Sequence, residues 1–140
     1  MLSRGIYTLA NDTVYDQLVA LLNSIEKNIG SDIPVCVIPY NDRLEKTQKE
    51  IDSRPQVTLF NNSQSLARWD SFVNEVWEYH SQASKPLERP AWYKGFVHRK
   101  FAAFDGDFDR FVFFDADSLA MKPLDKIFEK LDVYDLVFDD

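Results

Sequence analysis

The sequence predicts an α/β fold, a mainly parallel sheet flanked by helices, and three observations point there. Short apolar runs that read as strands alternate with segments whose apolar residues recur at helical spacing. One run, Phe111-Val112-Phe113-Phe114, is uniformly apolar, as a strand covered on both faces would be. It leads into Asp115-Ala116-Asp117, a carboxylate pair placed where the strands of open α/β sheets deliver their ligand-binding groups.

The elements follow in order. Gly5 to Ala10 reads as a first strand. Asn11 and Asp12 then offer a helix N-cap, and Leu18, Leu21, Leu22, Ile25 and Ile29 fall on one helical face that Gly30 closes. Ile33 to Ile38 predicts a second strand, with Pro34 near its start, where a missing amide is tolerated. Strand, helix and strand make a βαβ unit whose crossover should be right-handed. Arg43 to Ser53 reads as a short solvated helix and Gln56 to Phe60 as a third strand. Trp69, Phe72, Val73, Val76 and Trp77 line one face of an amphipathic helix. Ser84 to Pro90, with two prolines, is a loop. Trp92 to Phe104 predicts another helix with Val97, Phe101 and Phe104 inward, broken by Gly106 before the Phe111 strand. A short helix around Leu124 to Leu131 and a last strand at Tyr134 to Phe138 complete the reading. There are no internal repeats or low-complexity tracts.

At 140 residues the chain has room for one domain with a real core. A hydrophobic share of 45% and an aromatic share of 14% argue against disorder. A formal net charge of −7 and a pI near 4.8 argue against a nucleic-acid partner, which calls for a basic face. Cys36 is alone and lies inside an apolar run, so it reads as a buried core residue, with no disulfide or cysteine-metal framework. Met1 leads almost at once into a strand-like segment, which predicts no signal peptide. No apolar stretch has the length of a transmembrane segment. The expected compartment is cytoplasmic. A strand at the very end with no helix to cover it suggests that residues 1–140 form the N-terminal, nucleotide-binding part of one larger domain; a small complete domain with a terminal edge strand is the alternative.

In an extended chain, side chains at i and i+2 share a side, so Asp115 and Asp117 can converge on one cation while Ala116 turns away. Hard carboxylate oxygens with open positions suit Mg²⁺ or Mn²⁺ holding a diphosphate. An acidic protein that binds an anionic nucleotide needs positive charge at the contact, from a metal or from local Lys and Arg. The bland reading of two acids one apart is turn formation or capping of the next helix.

The run Phe113-Phe114-Asp115-Ala116-Asp117-Ser118-Leu119, with Lys122-Pro123-Leu124-Asp125 after it, resembles the DxD segment of GT-A-type nucleotide-sugar glycosyltransferases, especially glycogenin-like and galactinol-synthase-like enzymes. Tyr7 to Asp12 with Tyr15 resembles that family's first strand and nucleotide-holding turn. Lys100-Phe101-Ala102-Ala103-Phe104 resembles the helix that precedes its DxD strand. The resemblance implies a Rossmann-like GT-A fold and a metal-dependent transferase that moves a sugar from a nucleotide donor, a UDP-sugar in that family's pattern, to an unknown acceptor (glycan, small molecule or protein). Asp115 and Asp117 would bind Mn²⁺ or Mg²⁺, with Asp115 and Ala116 also at the nucleotide. Thr8, Leu9, Ala10 and Asn11 would border base and ribose, Tyr15 would stack near the base, and Lys100 would lie near the phosphates, a role for which Arg99 competes. Thr8 and Leu9 can equally be plain strand residues and Asn11 a helix cap. His80 and His98 read as structural or surface residues. The family's usual third ligand, often a downstream His, has no counterpart, because both histidines precede Asp115.

Two other readings stand beside this one. A non-catalytic nucleotide- or metal-binding remnant of the same fold would keep the pocket without turnover. A haloacid-dehalogenase-type phosphatase also places Asp-x-Asp after an apolar strand, but continues differently from Ser118-Leu119 and carries more motifs downstream than this chain has room for.

Overall fold

The computed structural model describes residues 3–80 and 90–137. Four strands, β1 (Arg4–Ala10), β2 (Val35–Pro39), β3 (Val57–Leu59) and β4 (Arg110–Phe113), form one sheet in the order β3-β2-β1-β4. Every pairing is parallel. Ile6 sits opposite Val35 on one side and Val112 on the other, and Val35 opposite Val57. Four α-helices accompany the sheet: α1 (Tyr15–Asn28), α2 (Glu45–Asp52), α3 (Ser63–Tyr79) and α4 (Asp125–Leu131). Three 3-10 helices span Asp12–Val14, Ala91–Lys94 and Val97–Asp105.

Alternation along β1 divides the core into two. Ile6 and Ala10 pack with Leu18, Leu21, Leu22 and Ile25 of α1, Ile51 of α2 and Phe128 of α4. Tyr7 faces the opposite side, with Cys36, Ile38, Phe60 and the alanines Ala102 and Ala103. Helices therefore cover both faces of the central strands, which explains why β2 is buried at all five positions. Gly106 is required where the chain turns toward β4, because a Cβ there would overlap the Tyr7 hydroxyl.

Several expected elements are shifted by packing. The second strand starts at Val35 rather than Ile33, and the Pro34 carbonyl accepts from the Ile6 amide at 3.0 Å. α2 is not wholly solvated, since Thr47 and Ile51 are buried. β4 is half-buried at every position, because no described strand pairs with its outer edge. In α3, Phe72 and Val76 stay about half exposed, so only the Leu66–Trp69 end of that face meets the core.

Two expectations are corrected. The helix over Trp92 to Phe104 is two 3-10 helices, parted at Gly95 and Phe96. The tighter winding changes which residues share a face, so Ala102 and Ala103 are buried while Val97, Phe101 and Phe104 are exposed. No strand forms over Tyr134 to Val137, and Phe138 lies outside the described residues. Instead, the amides of Asp132, Val133 and Tyr134 bond back to carbonyls of α4, which takes them out of any ladder. The predicted loop at Ser84 to Pro90 lies outside the described residues apart from Pro90.

Candidate active site

All four strands run the same way, so their carboxyl ends share one edge of the sheet, and a pocket of about 470 Å³ opens there. Leu9, Ala10 and Asn11 from the end of β1 form its floor. Thr13, Val14 and Gln17 come from the turn into α1, Tyr40 and Asn41 from the end of β2, and Asp115, Ala116 and Asp117 from the end of β4. Asn11 organises the first two groups. Its Oδ1 accepts from the Thr13 amide at 3.0 Å, and its Nδ2 donates to Asn41 Oδ1 at 3.1 Å. Asn41 Oδ1 accepts a second bond from the Arg43 amide at 3.0 Å, which fixes the loop after β2.

Asp12 faces away from the pocket and caps α2, accepting from the Thr47 amide and hydroxyl, both at 2.9 Å, and from the Lys46 amide at 3.2 Å. Desolvation pushes its carboxyl up. The hydrogen bonds from Thr47 and Lys46 outweigh that and hold it below the usual carboxylate value.

The carboxylate pair sits on a turn rather than on extended strand. β4 stops at Phe113, the Phe114 amide still bonds the Tyr7 carbonyl at 3.0 Å, and the Ser118 amide closes back on the Asp115 carbonyl at 3.0 Å. Within that turn Ala116 is buried in the α1-side core, while Asp115 and Asp117 are exposed at the pocket. The next residues are pinned to α1. The Ala120 amide donates to Ser24 Oγ at 2.8 Å, and Asn28 Nδ2 donates to the Ala120 carbonyl at 2.7 Å. The turn thus has a buried anchor within it and a double hydrogen-bonded anchor after it.

Of the residues expected at a nucleotide or its metal, Leu9, Ala10, Asn11, Asp115, Ala116 and Asp117 come together in this pocket. Thr8, Tyr15 and Lys100 do not line it. Thr8 is fully buried in β1, and the Tyr15 hydroxyl donates to Glu50 Oε2 at 3.1 Å, bracing α1 against α2. That bond to a carboxylate holds the Tyr15 phenol above its usual value. Lys100 is half-buried in the 3-10 helix Val97–Asp105. Arg99 does not stand free beside it: its Nε and Nη2 donate to Asp70 at 3.1 and 2.8 Å. His98 Nε2 lies 2.6 Å from the same carboxylate, so His98 is a structural residue.

Thr13, Val14, Gln17, Tyr40 and Asn41 were missed. The signal for the last two was present, since Tyr40 and Asn41 directly follow the second strand, whose carboxyl end the fold rule already marks. A larger groove of about 630 Å³ runs between β4 and α4 but contains neither of the paired carboxylates.

The donor set suits a hard divalent cation. Mg²⁺-type ions are held by one or two carboxylates plus substrate phosphates, and Asp115 and Asp117 supply two such groups. No described cluster offers a third His, Cys, Asp or Glu. No Lys or Arg lines the pocket among the described residues.

A family model described as "Mannosyltransferase putative" matches residues 3–135. The chain belongs to this family. No curated protein matches it. A mannosyltransferase transfers a glycosyl group, so the family brings a sugar donor and an acceptor into play. The parallel four-stranded sheet between helices agrees with a Rossmann-like glycosyltransferase fold. Among the described residues of this family member, no helix is long and apolar enough to cross a membrane.

Proposed function

We propose that the pocket at the carboxyl ends of β1, β2 and β4 binds the nucleoside diphosphate part of a sugar donor, and that the sugar transferred is mannosyl, as the family's description suggests. One observation carries this reading: among the described residues, two exposed carboxylates and no basic side chain line a pocket to which a diphosphate would bring further negative charge. Such a ligand needs a cation, and Asp115 with Asp117 would hold Mn²⁺ or Mg²⁺. When bound, the ion supplies Lewis-acid stabilisation of the leaving diphosphate.

The chain's own residues do the rest. Leu9, Val14 and Tyr40 offer apolar surface to a base, while Asn11, Gln17 and Asn41 offer amides to base or ribose. Ala116, seated in the core, fixes the angle at which its two neighbours present their carboxylates. Thr8 and Tyr15 stand behind the pocket in this reading, in the sheet and in the α1–α2 brace, and are given no part in binding. Lys100 lies outside the pocket lining, and its proposed phosphate contact would serve a diphosphate that reaches beyond that lining. The acceptor is a glycan, small molecule or protein.

Calorimetric titration of GDP and UDP, each with and without Mn²⁺, tests the proposal and identifies the base. Metal-dependent binding should weaken about tenfold or more in Asp115→Asn and in Asp117→Asn, since each removes one of two protein ligands. Binding indifferent to metal and to both substitutions would overturn the reading. Lys100→Met should weaken nucleotide binding without altering its metal dependence; unchanged affinity would remove Lys100 from the site.

A further inference from the structure

The Tyr40–Asn41 wall is gripped from outside the pocket by a single guanidinium. Arg99 Nη1 donates to the carbonyls of Pro39 at 3.2 Å and Tyr40 at 3.3 Å, the last residue of β2 and the first beyond it. The other side of the guanidinium is spent on Asp70 of α3, in a two-point ion pair. The group also lies over the Phe96 ring, 4.4 Å from its centroid, and Phe96 meets the Tyr40 ring edge-on at 5.9 Å. Arg99 is mostly buried, with 15% of its side chain exposed. A planar fork with five donors can bridge a carboxylate and two carbonyls at once; an ammonium cannot reproduce that geometry.

We propose that Arg99 is a positioning residue for the nucleotide: it sets the Tyr40–Asn41 wall against α3 and thereby tunes affinity without touching the ligand. The inference rests on the nucleotide-sugar reading above. Asn11 ties the wall to β1 on the pocket side, through Asn41, and Arg99 ties it to α3 on the far side. With the outer tie cut, the carbonyls of Pro39 and Tyr40 lose their donor and the loop after β2 is held from one side. Asp70 belongs to the same device, since it orients the guanidinium that holds the carbonyls.

The test uses the full chain with Arg99→Met, Arg99→Lys and Asp70→Asn. Arg54→Met serves as a control, because Arg54 is equally buried and ion-paired, to Glu26 and Glu50, and does not line the pocket. Hydrogen–deuterium exchange over residues 39–43 and calorimetry with the diphosphate that binds the unaltered chain, with Mn²⁺, are read together. Arg99→Met should speed exchange locally and weaken binding about tenfold or more, with Arg99→Lys and Asp70→Asn intermediate. Arg54→Met should lower Tm and leave affinity unchanged. Unchanged affinity in Arg99→Met, or losses in Arg54→Met that match it at equal Tm, would overturn the inference. If Arg99→Met does not fold, the same criteria apply to Arg99→Lys. Absence of binding by the unaltered chain sinks the nucleotide reading instead; local exchange then scores Arg99 alone, a rise supporting its grip on the wall and no rise overturning it.

Discussion

At the tip of β4, burial of a single methyl group decides where two carboxylates go. Ala116 is packed in the core and its neighbours are exposed, so Asp115→Asn and Asp117→Asn should move stability by no more than about 0.5 kcal/mol while weakening the proposed metal-dependent binding. The alternation was legible in the sequence; its cause was not. Extended geometry predicted a shared side, whereas the structure reaches the same outcome through a turn closed by Ser118. Cys36 shows the opposite case, a residue whose burial followed directly from its place inside an apolar run. Burial pushes its thiol up to about 11, so at pH 8 it should react with a thiol reagent only as fast as the chain unfolds. Rapid labelling of folded protein would contradict that burial.

At the scale of elements, apolar periodicity identified α1 well, because it buries its stripe in the core beside β1, and the short helix expected around Leu124 to Leu131 is α4. Periodicity overestimated α3 and the segment before β4. Phe72, which the sequence placed on the apolar face of its helix, is 53% exposed, and Phe128 only 3%. Phe128→Ala should therefore cost about 3–5 kcal/mol and Phe72→Ala less than about 1 kcal/mol, measured by denaturant unfolding. Equal losses would mean that the α3 face is covered. The 3-10 winding of Val97–Asp105 could not be read, since periodicity arguments assume 3.6 residues per turn and a mixed apolar segment fits either period. The strand predicted from Tyr134 did not form, and its first amide, that of Tyr134, bonds back to the Lys130 carbonyl of α4. Pocket residues supplied by strand ends were legible as soon as the strands were. Gln17 and Val14 were not, because nothing in their local sequence separates a pocket position from a helix surface.

For the whole molecule, four carboxyls shape the response to acid. Desolvation raises Asp12, Asp70 and Asp105, but hydrogen bonds outweigh it and leave each below its ordinary value; Asp109 is lowered chiefly by the Ser3 amide. Below the ordinary value of 3.8 the unfolded chain takes up these protons before the native one does, so stability should fall with pH from there through the lower native values. At the alkaline end Cys36, and then Tyr7, keep their protons longer in the native state than in the unfolded one, chiefly through burial. Stability should therefore fall again as pH rises from 9.0 toward about 11. A plot of Tm against pH should show a plateau between those limits, and a steady slope across neutral pH would point to groups other than these. The parallel sheet also dictates how the protein can be handled. Ser3, hydrogen-bonded to Asp109, stands at the edge where β1 begins, and the seven residues of β1 separate it from the pocket by roughly 20 Å. A tag or sensor surface joined at that edge leaves the pocket facing the solution. Attachment at Asp42 or Met121, both exposed and close in sequence to pocket residues, would crowd the groups whose binding is to be measured.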